Sequence, residues 1–399
     1  MQKHNVHNSF LFPNGLSPLN EFDVPAEIAM YFGFSPIQTP RIARSDRSDV
    51  SHLQSFDKTC FLCSPEEKTS LLRMYTSQKL AQLSHPTMIY YNRARNLSNT
   101  RNDCNQQCGL DIIGTHQSVA DALAIYTAYA LLCEEGYTDL LVDINSIGDR
   151  DSLEQFEQAL RQFYRSRINE LPSKYHSFIK DDVFALLQSD DEICQNINME
   201  APQAISFLSD TDRGHFMNVL EHLEEVDVPF RINNTIVGNK NISSETVFSI
   251  HQNREDIPTP SPLAMGTRYN RLARKIRLGK DINAIGVTLM YNQKRKKRPR
   301  KTPLQPKYFF CHLGDIARRR SLQLINELRK ARIPVYHSLI RDKIHAQLEY
   351  AEQMQLPYVI IMGQKEAMEQ SVVVRNMYTR KQETVSIDKL VTYLTNFTK

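Results

Sequence analysis

The sequence predicts an α+β body over residues 1–293, a basic linker over 294–306 and a smaller α/β unit over 307–399. Three observations carry that division. The body mixes helical and strand-like runs without regular alternation, which predicts helices grouped around a largely antiparallel sheet. After Pro306 the pattern becomes strand, helix, strand, helix, strand, which predicts a mainly parallel sheet. Between them Lys294-Arg295-Lys296-Lys297-Arg298-Pro299-Arg300-Lys301 places seven basic residues among eight, with Pro303 and Pro306 following. Charge repulsion and proline keep such a segment extended and exposed.

In the body, helical spacing covers 69–84, 118–135, 152–169 with Asp151 as its N-cap, and 215–225. Strand-like runs fall at 88–91, 111–113, 140–144, 230–236, 246–250 and 284–290. The stretch from about 151 to 228 reads as a helical insertion. In the small unit, a strand at 308–313 leads to a helix over 317–332, where Leu322, Ile325 and Leu328 mark one face. A strand at 334–337, a helix at 343–355 and a buried strand at 358–362 follow, closed by Gly363. Runs at 371–376 and 383–387 predict a hairpin, and 388–397 a last helix.

At 399 residues the chain exceeds one ordinary core, and 41% hydrophobic with 24% charged residues is a globular composition. No apolar run approaches the roughly 20 residues that span a bilayer. The start, Met1-Gln2-Lys3-His4-Asn5, leads into polar sequence without the apolar core of a secretory signal, so a cytoplasmic location is expected. Seven cysteines, scattered from Cys60 to Cys311, give no disulfide framework. Cys60 with Cys63 and Cys104 with Cys108 could together offer four thiolates to zinc. Both pairs sit in apolar or strand-like stretches, so buried thiols and no metal are expected.

Charge is divided unevenly. Residues 294–399 carry 22 Lys and Arg against 9 Asp and Glu, net +13, while residues 1–293 carry 27 against 36, net −9, completing the chain's +4. The two parts face different partners or each other, and the basic part invites nucleic acid.

Short stretches in order along the chain resemble landmarks of the histidyl-tRNA synthetase family. Tyr31-Phe32-Gly33-Phe34-Ser35-Pro36-Ile37-Gln38-Thr39-Pro40 is similar to the dimer-forming motif 1 of these class II enzymes. Ser64-Pro65-Glu66, Lys68 and Arg73 lie where the family has Arg-Pro-Glu-Gly-Thr and a downstream arginine, and Arg93 stands at the start of motif 2. Gln107-x-Gly109-x-Asp111-x-x-Gly114 resembles the family's Gln-x-Gly-x-Glu-x-x-Gly. Asp143 to Gly148, Thr246-Val247-Phe248, Gly266 to Asn270 and Ala284-Ile285-Gly286 continue the match. Glu327-Leu328-Arg329, Gln347 and Ile361-Met362-Gly363 resemble the family's anticodon-binding module. The resemblance covers nearly the whole chain and implies a class II synthetase core, a C-terminal anticodon-binding-type domain and a homodimer.

Amino-acid activation passes through an α-phosphate carrying extra negative charge, so the reaction needs preorganised cations. Arginine serves best because its planar fork binds phosphate in a bidentate way. By resemblance Arg93 is the remnant motif 2 arginine, and Glu66, Arg73, Gln107 and Asp111 are ligand-binding candidates. The motif 3 arginine is replaced: where the family ends Gly-Leu-Glu-Arg, this chain reads Met290-Tyr291-Asn292-Gln293. Losing one such contact costs roughly 3 to 4 kcal/mol of transition-state stabilisation. The family's histidine loop, Leu-Val-Arg-Gly-Leu-Asp-Tyr-Tyr, is here Ile236-Val237-Gly238-Asn239-Lys240-Asn241-Ile242-Ser243, so its arginine has become Gly238 and its tyrosines Ile242 and Ser243. Arg95 reverses the charge of an acidic residue just after the motif 2 arginine.

These departures lead to the expectation of a catalytically degenerate, dimeric protein that binds tRNA or another structured RNA, or regulates an enzyme partner. Lys294, Arg295, Lys296, Lys297, Arg298, Arg300 and Lys301 are the expected phosphate contacts, with Arg318, Arg319 and Arg320 close behind. ATP and magnesium are expected only if synthetase activity survives. The alternatives are an active histidine-tRNA ligase and a regulatory subunit resembling the synthetase-like partner of ATP phosphoribosyltransferase.

Overall fold

Alternation along three neighbouring strands organises the body. In the computed structural model, which describes residues 18–53, 64–83, 86–92, 106–253, 261–278, 281–293, 301–339 and 343–396, an eight-stranded sheet runs through residues 35–291. The elements that frame the site begin with α1 (Val24–Tyr31), β1 (Ser35–Ile37), α2 (Arg44–Val50) and α3 (Pro65–Ser77). They continue through β2 (Thr87–Asn92), β3 (Gln106–Ile113), α4 (Ser118–Glu135), β4 (Leu140–Ser146) and α5 (Arg150–Ser166). Then come α6 (Asp210–Glu225), β5 (Phe230–Ile232), β6 (Ser244–Gln252), β7 (Ala264–Arg268) and β8 (Ala284–Tyr291). The strand order is β1, β2, β3, β8, β7, β6, β4, β5; the two outer pairs are parallel and all the inner pairs antiparallel.

Successive side chains of a strand point to opposite faces. On β3, Cys108, Leu110 and Ile112 join Ile285, Val287, Leu289 and Tyr291 of β8 in the main core. The helix behind them, α4, is apolar almost all round because it is covered on every side: the sheet, α1 and α6 all pack on it. Gly136 ends it at φ +95°, a left-handed conformation that costs glycine little. The other face of the same strands presents Gln107, Gly109 and Asp111 beside Gly286, Thr288 and Met290.

Capping refines the expected boundaries. The helix expected at 152–169 with Asp151 as its cap instead starts at Arg150, because the Asp149 carboxylate accepts from the Ser152 amide at 2.9 Å. Ser209 caps α6 five residues earlier than its apolar spacing suggested. The run expected at 69–84 breaks at Lys79, whose φ is +51°, so α3 stops at Ser77 and a short helix resumes at Leu80.

The C-terminal unit holds a separate five-stranded sheet, built from β9 (Tyr308–His312), β10 (Val335–His337), β11 (Tyr358–Met362), β12 (Ser371–Asn376) and β13 (Gln382–Ser386). Its order is β10, β9, β11, β12, β13, with the first two pairs parallel and the rest a hairpin. The helices α7 (Asp315–Lys330), α8 (Ile344–Gln353) and α9 (Ile387–Asn396) complete it. Part of the charge asymmetry is spent between the two units. Arg319 pairs with Glu221 at 2.7 Å and Arg332 with Glu134 at 2.7 Å, while Arg320 lies 3.8 Å from Glu225. Arg329 lies 3.5 Å from Glu134 and stacks over Phe32. Two of the arginines expected to follow the linker onto a nucleic acid are therefore directed at the acidic body.

Candidate functional site

The polar face of the sheet is closed by a buried ion pair. Lys68, one turn into α3, reaches across to β3 and places its ammonium 2.8 Å from both oxygens of Asp111; its side chain is 3% exposed and that of Asp111 is fully buried. Two tyrosines complete the shell. The Tyr269 hydroxyl donates to Asp111 Oδ1 at 2.7 Å and the Tyr91 hydroxyl to Oδ2 at 3.0 Å, and the Lys68 ammonium lies within about 6 Å of both rings. Every acceptor direction of Asp111 that a ligand amine would use is occupied by the chain's own groups.

Glycines make the room. A Cβ on Gly109 would lie 2.3 Å from the Tyr91 ring, which crosses over that residue to reach Asp111. A Cβ on Gly286 would lie 2.1 Å from Asp111 Oδ1 and 2.6 Å from the Lys68 ammonium. Burial pushes the Asp111 carboxyl up from its ordinary value while the Lys68 ammonium pulls it back. The Tyr91 hydroxyl is held well above its ordinary value, by burial first and then by the charges of Asp111 and Glu67, so it serves as a donor.

The other expected residues scatter around this pair. Gln107 shares the face of Asp111, four residues along β3 and opposite Met290. Glu66 accepts from the Ser64 hydroxyl at 2.7 Å at the start of α3. Arg73 turns away to α2, pairing with Asp46 at 2.6 Å and with Asp49. Gln293 lies two residues beyond the end of β8. Lys301 is exposed, and Arg93, Lys294 to Arg300, and the cysteines Cys60, Cys63 and Cys104 lie outside the described residues. The fourth member of the expected thiolate set, Cys108, is buried in the core, where desolvation raises its thiol. Sequence reading singled out Asp111 but missed Tyr91 and Tyr269 as its partners. Each is one tyrosine among seventeen, and only the register of β2 and β3 and the turn after β7 bring them to it.

The loop after Asn239 is rebuilt as well. Gly238 has φ +67°, and a Cβ there would lie 2.6 Å from Ser243 Oγ. Asn239 is buried and donates to the Leu53 carbonyl at 2.9 Å, while Ile242 packs in the second core with Tyr91 and Tyr269. An arginine at 238 has no space without moving Ser243.

An antiparallel sheet backed by a long buried helix, with its polar face over α3 and a separate mixed sheet C-terminal to it, is the architecture of a class II aminoacyl-tRNA synthetase with an anticodon-binding domain. Comparison with known proteins narrows the class. Residues 308–397 match the anticodon binding domain family. A histidine-tRNA ligase of Protochlamydia amoebophila is 25% identical over 390 residues, 92% of this chain and 91% of that protein. One from Dehalococcoides mccartyi is 28% identical over 336 residues, 82% of this chain and 80% of its own length. The apo histidyl-tRNA synthetase of S. aureus superposes with a TM-score of 0.50 at 22% identity over 92% of each chain, a likeness of fold. Over most of its length the chain is therefore similar to histidine-tRNA ligases. No helix among the described residues is long and apolar enough to cross a membrane.

Proposed function

We propose that this chain is a synthetase-family protein that does not activate histidine and acts instead as a dimeric, cytoplasmic binder of tRNA or another structured RNA. The observation that carries this reading is the Lys68 ammonium seated on Asp111, which supplies from within the chain the cation that an amino-acid ligand would bring. Gly238 and Gln293 support it, because both stand where the family resemblance calls for arginine. Seven basic residues from Lys294 to Lys301 favour phosphate contacts as the source of affinity. ATP and magnesium belong to the alternative in which histidine activation survives. A regulated enzyme partner is the other outlet for an idle synthetase scaffold.

Histidine-dependent ATP and pyrophosphate exchange tests the catalytic half. No exchange is expected, and exchange that Arg93→Ala abolishes would establish a working ligase and overturn the proposal. Binding to tRNA at two salt concentrations tests the other half. Engaging six or more phosphates should weaken binding by about 10³-fold or more between 50 and 200 mM salt. Equal affinity at the two salts would remove the phosphate account, and a monomer-sized species in sedimentation would remove the dimer.

A further inference from the structure

On the other face of the sheet from Lys68 and Asp111, three side chains from three separate elements converge on one point. His116 comes from the loop between β3 and α4, His215 from the second turn of α6, and Glu245 from the start of β6. His116 Nε2 lies 3.3 Å and His215 Nε2 3.9 Å from Glu245 Oε2, and the three ligand atoms fall within 4.8 Å of one another. Ligands at about 2.0 Å around a tetrahedral zinc ion stand about 3.3 Å apart, so these atoms need only small movements to share one ion.

The backbone is bent to bring Glu245 there. The pairing of β6 with β7 shifts between Ser244 and Val247, and Glu245 itself has φ +50°, a left-handed conformation that glutamate seldom adopts. Its other oxygen, Oε1, is held by the Asn270 amide at 2.7 Å, which fixes the carboxylate and leaves Oε2 facing the histidines. Oε2 and His215 Nε2 are both buried and neither has an aligned hydrogen-bond partner. His215 Nε2 passes 3.3 Å from Asp121 Oδ2 without alignment, because Asp121 is committed to Arg268. Arg268 approaches Glu245 Oε2 at 3.5 Å, but its guanidinium is occupied by both Asp121 oxygens and by the Thr115 and Gln117 carbonyls. Arg268 is thus shared between two buried carboxylates, Asp121 and Glu245.

We infer that His116, His215 and Glu245 form a binding site for one divalent transition-metal ion of the zinc class. Two imidazoles and one carboxylate favour borderline cations over magnesium or calcium, and the half-exposed His116 leaves a fourth position open to solvent. The ion would clip the β3 to α4 loop, α6 and β6 together at one point.

Cobalt(II) titration of the metal-stripped full-length protein tests this. One equivalent should bind with weak d-d absorption and without a thiolate charge-transfer band, and zinc should displace it. His116→Ala and Glu245→Gln, each checked for native circular dichroism, should weaken cobalt binding by at least about tenfold. His116 is half exposed and Glu245→Gln keeps its shape, so at least one variant remains folded. No cobalt binding at micromolar protein, binding undiminished in the folded variants, or a thiolate band marking a cysteine site would each overturn the inference.

Discussion

Two buried polar clusters sit on opposite faces of one sheet and have been resolved in opposite ways. Around Asp111 both carboxylate oxygens are matched by donors from the chain, supplied by Lys68, Tyr91 and Tyr269. Around Glu245 the match is incomplete, with Oε2 and His215 Nε2 buried and facing each other without an aligned partner. A buried carboxylate therefore identifies nothing by itself; what matters is whether the fold has already supplied its hydrogen-bond donors. The pocket that family resemblance singles out is the satisfied one, and the unsatisfied one lies behind the sheet.

Removal of the internal cation should be felt most. Lys68→Met leaves Asp111 buried and unpaired, and should cost about 3 to 5 kcal/mol in urea unfolding, whereas Lys68→Met with Asp111→Asn should recover most of that loss. If the single variant is as stable as wild type, the ion pair does not hold the pocket shut. A second, smaller effect concerns space. Gly286→Ala drives a methyl into Asp111 and Lys68, for an expected loss of about 1 to 3 kcal/mol from overpacking, read from the same denaturation curves.

Acid separates the structure along other lines. Burial depresses His222 and His337 to about 4 and His312 to about 3, all below the ordinary histidine value of 6.5. The unfolded chain therefore takes up these protons first, so the stability tied to neutral histidine is complete above about pH 6.5 and is lost as pH falls towards 4. The urea midpoint should drop across that window, and His337→Gln should flatten part of the drop. His116 behaves in the opposite sense. The Glu245 carboxylate 3.3 Å away raises it above 6.5, so its contribution is full below 6.5 and is lost as pH rises through the folded value. Because His116 is half exposed, His116→Ala should change metal-free stability by less than about 1 kcal/mol. The smallest effect is expected at the surface: Arg319→Ala, breaking its pair with Glu221, should cost under about 1 kcal/mol.

The alternation of apolar residues in 284–290, the helical run 118–135 and the strand, helix alternation after Pro306 were legible because each segment's pattern is set by its own burial. The strand β7 was readable only as a motif, since Ala264-Met265-Gly266-Thr267-Arg268 has no alternation of its own and is a strand because β6 and β8 flank it. Boundaries moved where a cap outranked periodicity, as at Asp149 and Ser209. Of the pocket, Asp111 and the absent arginines at 238 and 293 could be read directly, because they are substitutions within recognisable segments.

From the sequence alone came the order of most elements, the resemblance to histidyl-tRNA synthetases and the positions where this chain departs from it. Folding alone reveals that Lys68, 43 positions away, is the partner of Asp111, and that His116, His215 and Glu245 meet across 129 residues. The physical reason is that secondary structure follows short-range periodicity, whereas a buried charge is balanced through space, by whichever side chain the strand register and helix packing bring within about 3 Å.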